Sequence, residues 1–177
     1  MSKERDLIAR GVPGPGGVWA DLGSGTGIFT LELRGLLGPT CTIYSVDRNG
    51  RDLDRQRRDF AERYPGSDVR FIKADFTRPL NLPELDGLLM ANSLHYVPYP
   101  DQVAVLARLC AHLRRPEGRF VLVEYNARSG NPWVPYPVDV ELFGRLARAV
   151  GLSNPDVLAA IPSRFLREMY AALARWR

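Results

Sequence analysis

Val18-Trp19-Ala20-Asp21-Leu22-Gly23-Ser24-Gly25-Thr26-Gly27-Ile28-Phe29 is the stretch that decides the fold. Its first five residues form a short apolar run, which predicts a buried strand. The glycines that follow predict a tight turn, because they accept backbone conformations that side chains oppose. Beyond them, Ile28, Phe29, Leu33, Leu36 and Leu37 recur at helical spacing, and Gly38-Pro39 stops that helix. Strand, glycine turn and helix in this order bring the free N–H groups of a helix start to a turn that a ligand can approach closely.

The same alternation runs outward from this unit. Gly14-Pro15-Gly16-Gly17 is the turn before it. Residues 41–46, rich in β-branched and aromatic side chains, predict a second strand. Residues 51–64 predict a helix ended by Pro65-Gly66, and 69–74 a third strand. A fourth strand is expected over 85–91, with Gly87 inside it. Asp101 is placed to cap a helix carrying Val103, Leu106, Ala107, Cys110 and Leu113 on one face. Gly118 introduces a fifth strand at Arg119–Tyr125. Strands alternating with helices predict parallel βαβ units and a doubly wound α/β sheet. Segment 126–137 reads as an ordered loop and 138–150 as a helix, whereas 155–160 and 168–176 fit helix and strand equally well.

The chain has 177 residues, 45% of them hydrophobic, which suits one packed domain over 1–177. No apolar run is long enough to cross a membrane, and the charged N-terminus leads into no signal-type apolar core, so a cytoplasmic protein is expected. Cys41 and Cys110 sit in apolar stretches and read as buried free thiols. The histidines and cysteines show no metal-ligand spacing, so no metal is expected, with only a carboxylate-bound magnesium left open. The net charge is +4, but the arginines are mixed with acids along the chain. In helix 51–64 the spacings Asp54–Arg58 and Asp59–Arg63 predict intrahelical pairs on a solvated face rather than a nucleic-acid patch.

Three signals carry chemistry. The first is the turn Gly23-Ser24-Gly25-Thr26-Gly27, whose G-x-G-x-G spacing differs from the G-x-G-x-x-G of dinucleotide enzymes. The second is Asp47, which closes the second strand about twenty residues beyond the glycines, where a ribose-binding acid belongs. Asp47-Arg48-Asn49-Gly50 also has strong turn character, and an ordinary turn residue is the competing explanation. The third is Asp75-Phe76 after the third strand: a carboxylate that can accept from an adenine amine and a ring that can flank it. Together they point to an adenosine-containing ligand.

These residues resemble class I S-adenosylmethionine-dependent methyltransferases, above all the broad group acting on small molecules. The resemblance runs from about Val18 to the C-terminus. It rests on Asp21 through Gly27, on Asp47, on Lys73-Ala74-Asp75-Phe76, and on Asp86-Gly87-Leu88-Leu89-Met90-Ala91-Asn92-Ser93-Leu94-His95-Tyr96. It implies a Rossmann-like, three-layer αβα fold. Its sheet would have seven strands, mostly parallel with the last antiparallel, which would make 155–160 and 168–176 strands. It implies that Gly23, Ser24, Gly25, Thr26 and Gly27 lie against the methionine part of S-adenosylmethionine, with Asp21 helping to hold the ammonium. Asp47, with Arg48 beside it, would grip the ribose, Asp75 and Phe76 would address adenine, and Asn92 and Ser93 would lie under the methionine chain.

The chain departs from some branches. It reads Asn92-Ser93-Leu94-His95 where enzymes that methylate base amines carry Asn-Pro-Pro-aromatic. Few residues precede the first strand, where many members carry a longer helical lid. The resemblance therefore leaves the site open, or closed by a partner subunit or by the 126–137 loop. His95 is the candidate general base, with a packing histidine as the alternative; His112 reads as structural. Tyr96, Tyr125, Trp133 and Tyr136 are the substrate-pocket candidates, and Glu124 either binds substrate or pairs with an arginine. The expected reaction is in-line methyl transfer to a small-molecule acceptor by a monomer or homodimer. An RNA or protein methyltransferase, a nicotinamide-dependent oxidoreductase and a non-catalytic cofactor-binding subunit are the competing readings.

Overall fold

The computed structural model describes residues 2–176. The elements run α1 (Lys3–Ile8), β1 (Val18–Leu22), α2 (Ile28–Leu37), β2 (Thr42–Asp47), α3 (Gly50–Arg63), β3 (Asp68–Lys73) and β4 (Gly87–Ala91), then α4 (Tyr99–Cys110), β5 (Arg119–Tyr125), α5 (Val140–Ala149), β6 (Asp156–Pro162) and β7 (Glu168–Arg175). The strands form one seven-stranded sheet in the order β3-β2-β1-β4-β5-β7-β6. β1 to β5 pair in parallel, and β7 runs antiparallel to both β5 and β6. The two ambiguous C-terminal segments are thus strands. Their alanines and leucines fit a helix locally, but pairing along β5 decides.

Period-two alternation divides the core into two faces. Phe120 and Leu122 of β5, Leu88 and Met90 of β4, and Ala20 and Leu22 of β1 meet α4 and α5 on one side. Val121 and Val123, Leu89, and Trp19 meet α1 and α2 on the other. Helices on both faces of a mostly parallel sheet give the three-layer arrangement.

β1 lies between β2 and β4, so the chain reverses direction across the sheet after β3. That reversal opens a crevice beyond the carboxyl ends of β1 and β4. The two strands stay in register because Gly87 lies opposite Trp19. A Cβ on Gly87 would fall inside the fully buried indole of Trp19, which explains a glycine within a buried strand.

Some local expectations are corrected. α4 begins at Tyr99 with Pro98 as its cap residue and a proline in its first turn, so Asp101 is an acid of that turn rather than the cap. Its buried face is Gln102, Val105, Leu106, Leu109 and Cys110, while Val103 and Ala107 face solvent. In α3 the close pairs are Asp54–Arg57 at 2.6 Å and Arg55–Asp59 at 3.8 Å, not Asp54–Arg58 and Asp59–Arg63. The strand expected from 85 begins at Gly87, with Leu85 making an isolated bridge to Leu113. Among the described residues no helix is long and apolar enough to cross a membrane.

Gly87→Val should cost about 1–3 kcal/mol or more, because the added volume must displace the Trp19 ring or part β1 from β4. Urea unfolding followed by Trp fluorescence measures it; a midpoint equal to wild type would contradict this packing.

Candidate functional site

The glycine turn after β1 is held by its neighbours on β2 and α3. Gly23 and Ser24 donate backbone N–H bonds to the Val46 carbonyl at 2.8 and 3.1 Å. Gly25 N–H donates to Asp47 Oδ2 at 2.8 Å, and the other Asp47 oxygen accepts from Asn49 N–H at 2.7 Å. The acid read as a ribose ligand therefore also fixes the turn.

Sequence reasoning missed Gln56. From the buried face of α3 its amide donates to the Gly25 carbonyl at 2.7 Å and to Ser24 Oγ at 2.9 Å. The Ser45 hydroxyl bridges Gln56 Oε1 and Ser24 Oγ, each at 2.8 Å. Gly27 caps α2 in a left-handed conformation, and a Cβ there would strike the Gln56 side chain at 2.5 Å. Gly27 thus serves packing and lies off the cavity wall, whereas Gly25, at φ +53°, has open space where a side chain would point.

Asp21, Asp47 and Asp75, from the ends of β1, β2 and β3, line a single cavity of about 1090 Å³. So do Gly23, Ser24 and Thr26 of the turn, then Arg48 and Phe76, then Asn92 and Ser93 after β4. Asp75 accepts from the Thr77 hydroxyl at 2.7 Å and from its N–H at 2.9 Å. These bonds, the hydroxyl's first, hold its carboxyl below the usual range.

Asp21 is different. The Thr30 hydroxyl donates to its Oδ2 at 2.6 Å, but Oδ1 is buried without a partner. Burial pushes its carboxyl up to about 7; the Thr30 bond opposes this and the charge of Asp47 adds to it. Asn92, at φ +54°, also carries a buried, unpartnered side-chain oxygen. Unpaired buried acceptors cost about 1–3 kcal/mol each, and a left-handed backbone at a non-glycine residue adds to that, least for asparagine. Two such acceptors at adjacent strand ends, both on the cavity wall, are suited to a cationic hydrogen-bond donor.

The rest of the cavity is aromatic and aliphatic. Tyr96 and Tyr125 line it, joined by Phe29, Ile161, Phe165 and Met169. The structure does not bring Trp133 or Tyr136 there. Trp133 is 68% exposed, and Tyr136 packs edge-on against Tyr99 with centroids 5.4 Å apart. The enclosing wall is instead the tip of the β6–β7 hairpin, with Lys3 and Glu4 of α1 beside it. Stiffness in 126–137 suggested a wall, but position in the sheet decides, because β7 inserts between β5 and β6.

His95 lies behind the wall rather than on it, only 2% exposed. Glu124, fully buried, accepts from His95 N–H at 3.1 Å and lies 2.8 Å from its Nδ1. Glu124 therefore pairs with this histidine and not with an arginine. His112 lies just beyond α4, where its carbonyl accepts from Leu85 N–H at 2.8 Å.

A methyltransferase-domain family profile matches residues 20–118. The ubiquinone/menaquinone biosynthesis C-methyltransferase of Ectopseudomonas mendocina is 25% identical over 143 residues, covering 80% of this chain and 54% of that protein. Its counterpart in Hahella chejuensis is 28% identical over 128 residues, covering 71% and 49%. The chain thus spans about half the length of the curated relatives it matches. Among solved structures, Burkholderia thailandensis 1,6-didemethyltoxoflavin-N1-methyltransferase, with 1,6-didemethyltoxoflavin and S-adenosylhomocysteine bound, superposes with a TM-score of 0.77 at 23% identity, over 98% of this chain and 76% of that one. The YcgJ protein of Bacillus subtilis superposes with a TM-score of 0.75 at 13% identity, over 98% of both chains. At such identities the superpositions speak for the fold. The profile match runs through more than half of the 177 residues, and by it the chain belongs to the methyltransferase-domain family.

Proposed function

We propose that the chain is an S-adenosylmethionine-dependent methyltransferase acting on a small-molecule acceptor. The observation that carries this reading is the single cavity that joins three strand-end acids to a tyrosine-lined compartment. Its volume, about 1090 Å³, lies just above the usual range for one small ligand, which suits a donor and an acceptor side by side. The ubiquinone/menaquinone and toxoflavin methyltransferases act on small molecules by their names, and in α3 Arg55 and Arg57 pair with acids of their own helix.

The residues present fit the cofactor. Asp21 Oδ1 and Asn92 Oδ1 are the unpartnered acceptors that a methionine ammonium would satisfy. The open face of Gly25 admits the methionine chain close to the backbone. Asp47 uses one bond on each oxygen internally and keeps lone pairs for the ribose hydroxyls. Asp75, held ionised by Thr77, is ready for the adenine amine, with Phe76 alongside. Bound S-adenosylmethionine supplies a methyl group activated by a positive sulfur. What the protein adds is alignment, worth up to ~7–11 kcal/mol when reacting atoms are held in line. His95, shut behind the wall, acts in this reading by positioning Tyr96 rather than by touching the acceptor.

Calorimetric titration with S-adenosylhomocysteine tests the cofactor half directly; absence of binding would overturn the proposal. Asp47→Ala should weaken binding by about one to two decades, because it removes both the ribose acceptor and the Gly25 anchor. Gln56→Leu should weaken it by about tenfold without contacting the ligand, by freeing the glycine turn. Wild-type affinity in both variants would exclude these roles.

Binding should also depend on pH. Below about 7 Asp21 is protonated and no longer attracts an ammonium, so affinity should fall as pH is lowered, approaching about tenfold per unit. Titrations between about pH 5.5 and 7.5 stay below the range where a ligand α-amino group itself deprotonates. Asp21→Asn should bind more weakly and flatten the profile; an unchanged slope in that variant would show that another group titrates.

A further inference from the structure

The compartment that the cofactor leaves free has its own charge and shape. The acids Asp21, Asp47, Asp52 and Asp75 all belong to the side assigned to the donor. Arg48 lines the cavity beside Asp47, and the other charged side chains that line it are Lys3, Glu4 and Arg164. Glu4 lies 3.9 Å from Lys3, so that pair is self-compensating. Arg164 makes no ion pair among the described residues. Its guanidinium instead stacks 5.0 Å from the centroid of the Phe165 ring, at the tip of the β6–β7 hairpin. A planar cation parked on an aromatic face, with no carboxylate of its own, is a ready partner for a ligand anion.

The walls here are flat rings. Tyr125 is nearly buried at the end of β5. Tyr96 is 57% exposed, yet it is not free to drift. Its ring packs on His95 with centroids 4.3 Å apart. His95 is in turn fixed at its N–H and Nδ1 by buried Glu124, and its carbonyl accepts from Tyr136 N–H at 3.0 Å. A buried carboxylate is costly unless paired, and this pair braces the residue next to a rim tyrosine. Rigid aromatic walls favour a planar partner, since little side-chain freedom is lost on stacking.

We propose that the methyl acceptor is a planar aromatic molecule bearing an ionised acid group, with its ring against Tyr96, Tyr125 and Phe165 and its anion against Arg164. This rests on the methyltransferase reading above and names its acceptor class. An anion at this end also complements the positive sulfur of the donor, so the cavity binds opposite charges in its two halves.

The test uses enzyme saturated with S-adenosylhomocysteine and three probes of equal ring size: 2-naphthoate, 2-naphthol and 2-naphthylmethylammonium, titrated by calorimetry near pH 7. Naphthoate should bind at least about tenfold more tightly than naphthol, and the ammonium most weakly. Arg164→Gln should bring naphthoate down to the level of naphthol while leaving S-adenosylhomocysteine affinity unchanged. Tyr96→Ala should weaken naphthoate and naphthol alike. Equal binding of acid and alcohol by wild type, an acid preference that survives Arg164→Gln, or no probe binding on a protein that holds S-adenosylhomocysteine would each overturn the assignment. Failure to bind S-adenosylhomocysteine would instead remove the reading beneath it.

Discussion

The hydrogen bond from the Gly25 N–H to the Asp47 carboxylate ties the tip of β1 to the tip of β2. On it depends the shape of the glycine turn, and on that shape depends where every other group of the cavity stands. The bond forms because parallel pairing puts Leu22 opposite Val46, so the residues just past each strand end meet side by side. Gln56 supports the same turn from below, through a helix that packs on β2 and β3. Fixed donors and acceptors need no rearrangement when a ligand arrives, and that saves binding free energy.

Charge is sorted along the cavity. Four aspartates gather near the strand ends, where the proposed ligand is cationic. One of them, Asp21, is buried deeply enough that its carboxyl ionises only near pH 7, and a positive group beside it favours the charged form. The opposite end is aromatic, with an arginine held on a ring. Such sorting gives each ligand a preferred end and a preferred orientation before any chemistry begins.

Local sequence reading recovered the elements that contiguous residues determine, but not the cap of α4 or the partners within α3. β1, the glycine turn and α2 are legible because an apolar run, small residues and helical spacing are contiguous. Asp21, Asp47 and Asp75 are legible because strand ends and turn residues are. Gln56 is not, since a lone polar residue on a charged helix looks solvated. Only its place between Leu53 and Phe60, on the helix's one buried stripe, hints otherwise. β6 and β7 escape because Leu158-Ala159-Ala160 and Ala171-Ala172 suit a helix as well as a strand, and non-local pairing makes the choice. Trp133 misleads for a related reason: a proline-bound aromatic loop looks purposeful, but where it lands depends on which strand occupies the space next to β5.

The antiparallel β7 has a further effect. By turning back beside β5 it sends a short hairpin over the cavity mouth, and its tip leans on the 126–137 loop through a bond from the Asn131 amide to the Phe165 carbonyl at 3.0 Å. Among the described residues no hydrogen bond joins the tip to the glycine turn or to Gln56. Under the proposed function, changing the few residues of that tip would leave the donor half in place, so one bend of the backbone would set which acceptor the cavity admits.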